Sequence, residues 1–129
     1  FINRKCRNYD LYKKQFDNWK YGRILEFRIN TLSNKWFYSI EIKDQEQPIS
    51  MKRIITRLEE KGVQTRAVWG LIHEQVPYCN SIHYEIKKAV YYSNCILNIP
   101  CSTQLSEEDI TYVVEKINEV LGELENEEN

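Results

Sequence analysis

The first twenty residues carry apolar side chains at steps of three and four positions, namely Ile2, Cys6, Tyr9, Tyr12, Phe16 and Trp19. Steps of this size place side chains on one stripe of an α-helix. The pattern therefore predicts a long first helix over residues 1 to about 20. Because the stripe is thin and mostly aromatic, we expect this helix to pack along another domain or another copy of the chain.

Three short segments have the pattern of β-strands. Residues 35–42 alternate, so one face is predicted to carry Trp36, Tyr38, Ile40 and Ile42, and the other Phe37, Ser39 and Glu41. That alternation is typical of a half-buried strand. The β-branched residues of 63–69 predict a second strand, and residues 95–100 predict a short third strand that ends at Pro100.

Two further helices are predicted with clear boundaries. Ser50 can cap a helix over 50–61, and Gly62 follows where a left-handed C-terminal cap is expected. Ser106 can cap the last helix, whose first turn is acidic. The apolar positions of that helix keep a period of 3.6 residues: Ile110, Val113, Val114, Ile117, Val120, Leu121 and Leu124.

The remaining segments carry weaker signals. A third helix is predicted over residues 80–92, after a break at Pro77. Residues 43–50 are predicted to turn around Pro48, and residues 125–129 are expected to form a frayed tail.

The order of elements predicts the fold class. Short strands that alternate with amphipathic helices favour an α+β or α/β sandwich, in which helices cover mainly one face of a small mixed or antiparallel sheet. The length of 129 residues fits one domain over residues 1–129.

Composition excludes several classes of function. The chain has 18 basic and 19 acidic residues, a net charge of −1, which gives no field to attract nucleic acid or an anionic membrane. No apolar run is long enough to span a bilayer, and no secretory signal pattern is present. We therefore expect a cytoplasmic protein with reduced cysteines. The two histidines lack zinc-ligand spacing to any cysteine pair, so no metal site is predicted.

One stretch, TRAVWGLIHEQ at residues 65–75, combines residues that could recognise a ligand. The guanidinium of Arg66 can hold a carboxylate or a phosphate by two hydrogen bonds. Trp69 offers a flat apolar surface, and His73 a hydrogen bond that responds to pH near neutrality. In the structural alternative, Arg66 caps the sheet edge, Trp69 lies in the core and His73 is a surface turn residue. Only four glycines are present, too few for a loop that wraps a phosphate by its backbone.

Two blocks of the sequence, LEEKGVQTRAVWGLIHEQVPY and ILNIPCSTQLSEED, resemble the C-terminal part of the DegT/DnrJ/EryC1/StrS sugar aminotransferases. These are pyridoxal-phosphate enzymes, and the segment SNKWF at 33–37 is most similar to the subgroup that acts on UDP-linked keto-sugars. The chain departs from the family pattern at Ala67, where proline is usual, and at Gly70, where a bulkier polar residue is usual. Since proline fixes φ, Ala67 leaves the strand exit less rigid.

The resemblance implies that the chain is the small C-terminal domain of a larger enzyme. That enzyme would transfer an amino group from an amino acid, expected to be glutamate, to a nucleotide-linked keto-sugar for surface glycan or lipopolysaccharide biosynthesis. The lysine, the aspartate and the phosphate site for pyridoxal 5'-phosphate would lie in the large domain. We therefore expect no cofactor-binding or catalytic residue in these 129 residues, and no activity from them alone.

The resemblance also implies a role for particular residues. Arg66 is expected to bind the donor carboxylate or the nucleotide diphosphate, and the full set of predicted substrate-binding residues is Arg66, Trp69, His73, Tyr78, Asn34 and Trp36. A homodimer is expected, with self-association of this chain through the first helix. The alternative is a free-standing α+β module that binds a protein or a peptide without catalysis.

Overall fold

The structure, a computed structural model, describes residues 1–43 and 49–127. The first helix, α1, spans Ile2–Gln15 and is shorter than predicted. Asn18 has a φ of 51°, a left-handed conformation that does not continue a right-handed helix. The aromatic stripe nevertheless extends into the turn after α1, because Phe16 and Trp19 remain buried.

The stripe of α1 packs inside this chain, against the last helix, α4, which spans Glu107–Glu127. Two side-chain hydrogen bonds join the α1 region to α4: Gln15 Nε2 donates to Thr111 Oγ1 at 3.1 Å and Trp19 Nε1 to Asn118 Oδ1 at 2.6 Å. The prediction that the stripe packs against another domain or another copy is therefore wrong for its buried members, Tyr9, Tyr12, Phe16 and Trp19. Their apolar surface is already covered, so it provides no patch for self-association.

The sheet has four strands, all paired antiparallel, in the order β1-β2-β4-β3. The strands are β1 (Gly22–Ile24), β2 (Tyr38–Ile42), β3 (Arg66–Ala67) and β4 (Ile96–Ile99). Four helices and this sheet confirm the α+β fold class. The predicted strands over 35–42, 63–69 and 95–100 are all present, but each is shorter than predicted.

Strand β1 was not predicted, because three residues are too few to show alternation. Gly22 begins the strand. A Cβ atom at this position would lie 1.9 Å from the carbonyl oxygen of Glu41, so only glycine allows the two backbones to approach this closely.

The two faces of the sheet differ in polarity. On one face Tyr38, Ile40, Ile42, Leu97 and Ile99 are buried and belong to the same apolar cluster as side chains of α1, α2 and α4. The predicted alternation of β2 is confirmed, except that Trp36 precedes the strand and is exposed. The second face carries polar side chains, among them Ser39, Glu41, Asn98 and Arg66.

Helices α2 and α4 follow the sequence pattern closely. Helix α2 spans Met51–Glu60, and Gly62 has a φ of 75°, as expected for its C-terminal cap. All seven predicted core positions of α4 are buried. Helix α4 continues to Glu127, whose carboxylate pairs with Arg53 and Arg57 of α2, so residues 125–127 do not form the predicted tail. Most of the predicted turn at 43–50, with Pro48, and residues 128 and 129 lie outside the described residues.

The predicted helix over 80–92 is wrong for its first half. Helix α3 spans Lys88–Cys95 and is preceded by irregular structure and a 3₁₀ turn over Ile72–Glu74. Ile82 is fully exposed, so it has no core against which a helix could pack. No helix in the part of the chain that the structure describes is long and apolar enough to cross a membrane.

Candidate functional site

A row of three polar residues crosses the second face of the sheet. Arg66 on β3 lies directly opposite Asn98 on β4, and Asn98 lies directly opposite Ser39 on β2. Ser39 Oγ donates a hydrogen bond to Asn98 Oδ1 at 2.6 Å. Because adjacent strands lie about 4.8 Å apart, the row brings Arg66 to the sheet edge beside a hydrogen-bonded polar pair.

The side chain of Arg66 lines a groove between this sheet edge and the start of α4. The strand side of the groove includes Phe37, Asn98 and Pro100, and the α4 side includes Asp109 and Tyr112. Within residues 1–43 and 49–127, no ion pair to Arg66 is formed. An exposed guanidinium without a carboxylate partner keeps its donors available for an anion.

Three aromatic rings form a continuous row beside this groove. Phe37 stacks on Trp36 with ring centroids 5.0 Å apart and meets Trp69 edge-on at 5.6 Å. Trp36 is 67% exposed and Trp69 is 72% exposed. The structural alternative that placed Trp69 in the core is therefore wrong. We call Trp36, Phe37 and Trp69 the aromatic row; Phe37 joins it to the groove of Arg66.

His73 and Tyr78 do not line the groove of Arg66. His73 lies in the 3₁₀ turn, and its ring centroid is 5.0 Å from that of His83. Tyr78 is half exposed, and its backbone N–H donates to the carbonyl of Gln75 at 2.8 Å. The structure thus brings Arg66, Trp69 and Trp36 together through Phe37, whereas His73 and Tyr78 belong to the following segment.

Asn34 and Trp36 line a second groove, next to Lys5, Cys101 and Ser102. Asn34 Oδ1 accepts a hydrogen bond from the backbone N–H of Trp36 at 3.1 Å. This turn also contains Lys35, which has a φ of 53° and whose ammonium lies 3.8 Å from the ring centroid of Phe27. A cation over an aromatic face is attracted to it, so this contact joins the turn to Phe27.

The groove residues that could not be identified as site residues from the sequence include Phe37, Asn98 and Lys5. Phe37 directly precedes β2 and Asn98 lies in β4; their neighbours depend on how the strands pair, so no local signal marks them. Lys5 did have a signal, because it lies four residues before Tyr9 and seven before Tyr12 on the buried stripe of α1. A lysine at a core position is rare unless its ammonium has a partner.

A polar network fixes α3 to the second face of the sheet. The carboxylate of Glu41 accepts hydrogen bonds from Arg23 Nε at 2.6 Å and from the hydroxyl of Tyr91 at 3.1 Å. The bond to Glu41 is the main reason that the pKa of Tyr91 is raised to about 12. Tyr91 therefore stays a neutral hydrogen-bond donor at physiological pH.

Three lysines of the chain are unsuited to the role of the lysine in a pyridoxal site. Such a site needs a lysine that gives up its proton, a carboxylate for the pyridine nitrogen and donors for a phosphate. Hydrogen bonds to carboxylates instead raise the pKa of Lys13, Lys61 and Lys116, which keeps them protonated. Among the described residues there is also no group of three or more His, Cys, Asp or Glu that could hold a metal ion.

The sequence matches a family model over most of its length. The model describes the DegT/DnrJ/EryC1/StrS aminotransferase family and matches residues 1–118. No curated protein matches the chain.

Solved structures share this fold. The chain superimposes on Helicobacter pylori PseC, an aminotransferase of pseudaminic acid biosynthesis, with a TM-score of 0.85 and 16% identity over 95% of this chain and 33% of PseC. It matches DesI, solved in the presence of its TDP-sugar product, with a TM-score of 0.81 and 23% identity over 90% of this chain and 30% of DesI. The aminotransferase TlmJ from Streptoalloteichus hindustanus matches with a TM-score of 0.82 and 18% identity, over 96% of this chain and 32% of TlmJ.

These identities are low, so the structural matches demonstrate the fold and not the substrate. The chain spans about a third of the length of each of these solved structures.

Proposed function

The chain belongs to the DegT/DnrJ/EryC1/StrS aminotransferase family, and we propose that it forms the substrate-side wall of the cleft in a sugar aminotransferase. The observation that carries this proposal is the position of Arg66, which has no carboxylate partner among the described residues and lies in a groove beside an exposed aromatic row. The substrate that we propose is a nucleotide-linked keto-sugar.

The chemistry of that substrate fits the groove. A sugar nucleotide carries a diphosphate, which a guanidinium binds by charge-assisted hydrogen bonds. It also carries flat or apolar surfaces in its base and sugar, which stack on exposed aromatic rings. In our proposal Arg66 binds the diphosphate, and Trp69 and Trp36 contact the base or sugar. Asn34, beside Trp36, is a further contact, and His73 and Tyr78 are proposed as contacts from the following segment.

The proposed reaction transfers an amino group from an amino acid, for which we propose glutamate, to the keto carbon of the sugar. When bound in the whole enzyme, pyridoxal 5'-phosphate would supply the electron sink for this transfer. The residues described here would bind the sugar nucleotide, orient its keto carbon and exclude water from the cleft. We further propose that the whole enzyme is a cytoplasmic homodimer that serves surface glycan or lipopolysaccharide biosynthesis, and that the 129-residue chain alone is inactive.

A binding experiment on the 129-residue chain tests the role of Arg66. Uridine diphosphate and uridine are titrated separately while chemical shifts are followed by NMR. Arg66→Ala should weaken binding of the diphosphate about 10- to 100-fold, because hydrogen bonds to charged groups contribute about 1.5–3 kcal/mol. It should leave the weaker binding of uridine unchanged. Arg28→Ala, which removes another exposed arginine, is the matched control. Equal affinities of wild type and Arg66→Ala for the diphosphate would refute the proposed role of Arg66.

One observation favours the second candidate, a module that binds a protein or a peptide. The segment after β3 exposes several large apolar side chains, namely Trp69, Ile72, Val76, Ile82 and Tyr84. Contiguous exposed apolar surface is typical of protein interfaces. The same titrations distinguish the two functions, because a peptide-binding module would show no shifts at Arg66 with uridine diphosphate.

A further inference from the structure

Lys5 is a buried cation in the α1 stripe, in line with Tyr9 and Tyr12. Its side chain is bent into the protein and the residue is only 6% exposed. Lysine is among the residue types that are least often buried, because its ammonium loses its hydration. A buried ammonium therefore needs partners that replace water.

The partners of Lys5 are backbone carbonyls rather than a carboxylate. Its Nζ atom donates to the carbonyl of Trp36 at 3.0 Å and to the carbonyl of Cys101, and lies 5.2 Å from the ring centroid of Tyr38. No ion pair to Lys5 is formed within the part of the chain that the structure describes. The ammonium thus joins two loops through hydrogen bonds to their carbonyls.

Those two loops also contact each other and α1. The thiol of Cys101 donates to the carbonyl of Trp36 at 3.2 Å, and Asn8 Nδ2 donates to the carbonyl of Ser102 at 3.1 Å. The hydroxyl of Tyr38 returns a hydrogen bond to the carbonyl of Lys5 at 2.7 Å. Lys5 lies at the centre of this network.

The position of the two loops decides the geometry of the proposed site. Cys101 and Ser102 line both the groove of Arg66 and the groove of Asn34, so they form the wall between the two. Trp36 begins the aromatic row. A shift of the loop of Trp36 would therefore move the aromatic row relative to Arg66, and a shift of the loop of Cys101 and Ser102 would move the wall between the grooves.

We propose that Lys5 is a positioning residue, which holds the aromatic row and the wall between the grooves in register with Arg66. This proposal rests on the proposed function, because the alignment matters only if a sugar nucleotide occupies the groove. A methionine at position 5 would fill nearly the same volume without burying a charge, but it has no donor to hold two carbonyls.

The test uses the 129-residue chain labelled with 5-fluorotryptophan, whose three tryptophans give three ¹⁹F resonances, assigned by Trp36→Phe and Trp69→Phe. In Lys5→Met the resonance of Trp36 should shift or broaden. The resonance of buried Trp19 should stay unchanged, and affinity for uridine diphosphate should fall about five- to tenfold. Lys5→Arg, which keeps the charge and the donors, should restore part of the affinity. Lys14→Met, at an exposed lysine of the same helix, is the matched control and should change none of these.

Two other results with Lys5→Met count against the proposal. An unchanged Trp36 resonance in Lys5→Met would overturn it, and so would equal changes at Trp19, Trp36 and Trp69, since these would indicate a general loss of structure. If Lys5→Met does not fold, the proposal is tested instead by the ammonium protons of wild-type Lys5. They should exchange slowly with water and shift when uridine diphosphate is added, and fast exchange like that of surface lysines would overturn the proposal.

Failure of the proposed function gives a different pattern. If wild type does not bind uridine diphosphate, the affinities of the Lys5 variants cannot be compared. The ¹⁹F resonances then still show whether Lys5 holds Trp36.

Discussion

At the scale of single residues, the candidate site combines the guanidinium of Arg66 with the exposed rings of Trp36 and Trp69. Arg66 and Trp69 could be selected from the sequence because a guanidinium can bind an anion and a large ring offers a flat surface for a ligand. Their joint position beside Trp36 depends on Phe37 and on the pairing of β2 with β4, which leaves no local trace in the sequence. Lys5 was missed because a lysine among apolar positions of a helix is usually expected to be exposed to solvent.

Two buried tyrosines at this scale make a matched pair of predictions. The hydroxyl of Tyr12 is buried with no hydrogen-bond partner among the described residues, whereas the hydroxyl of Tyr38 donates to the carbonyl of Lys5. Burial raises the pKa of both, so both hydroxyls are neutral. Tyr12→Phe should raise the free energy of unfolding by up to about 1 kcal/mol, and Tyr38→Phe should lower it by about 1 kcal/mol, since an unpaired buried hydroxyl costs free energy and a paired one contributes it. Urea denaturation measures both changes, and equal destabilisation by the two substitutions would contradict the assignment.

At the scale of elements, long periodic segments were predicted well and short or irregular ones were not. Helix α4 followed its 3.6-residue pattern over seven core positions because that many repeats leave one consistent face. Strand β1 has three residues and is defined by its pairing with β2, so its pattern is too short to identify. Residues 80–87 showed a helical pattern but no helix, because amphipathic spacing stabilises a helix only where another surface covers the apolar side.

The start of α4 gives a pH-dependent prediction. The backbone N–H and the hydroxyl of Ser106 both donate to Asp109 Oδ2 at 2.8 Å, and Ser106 Oγ accepts from the N–H of Asp109 at 3.0 Å. The hydrogen bonds from Ser106 lower the pKa of Asp109 below its usual 3.8. A carboxyl whose pKa is lowered in the folded state stabilises that state above the unfolded pKa, and this contribution is lost as the pH falls through the folded pKa.

Asp109→Asn should therefore be less stable than wild type at pH 7, and the difference should shrink as the pH falls below 3.8. Thermal unfolding measured from pH 7 to pH 2.5 provides the comparison. Glu108→Gln is the control, because Glu108 lies in the same turn and shares the helix dipole but not the hydrogen bonds to Ser106. A stability difference for Asp109→Asn that is constant over the whole pH range would contradict this account.

At the scale of the whole molecule, the chain closes one face of its sheet with its own helices and leaves the polar second face more open. Helices α1, α2 and α4 share one buried cluster with the strands. The groove of Arg66 lies where the edge of that sheet meets the start of α4. The sheet and α4, which are both well packed, therefore hold the site from two sides. Fold class and core could be predicted because they follow from hydrophobic periodicity, whereas the grooves follow from tertiary pairing.

The burial of the α1 stripe gives the last prediction, which concerns how the chain holds together. Phe16 packs edge-on against Trp19 at 4.8 Å and stacks near Tyr12 at 6.2 Å, all within one chain. Phe16→Ala should lower the free energy of unfolding by about 3–5 kcal/mol, as expected for a large side chain removed from a core. The loss should be the same at protein concentrations that differ a hundredfold, because no second copy contributes to the contact. Phe1→Ala, at an exposed ring of the same helix region, should change stability little. If the stripe instead joined two copies, the unfolding midpoint of wild type would rise with concentration, and Phe16→Ala would convert a sedimenting dimer to a folded monomer.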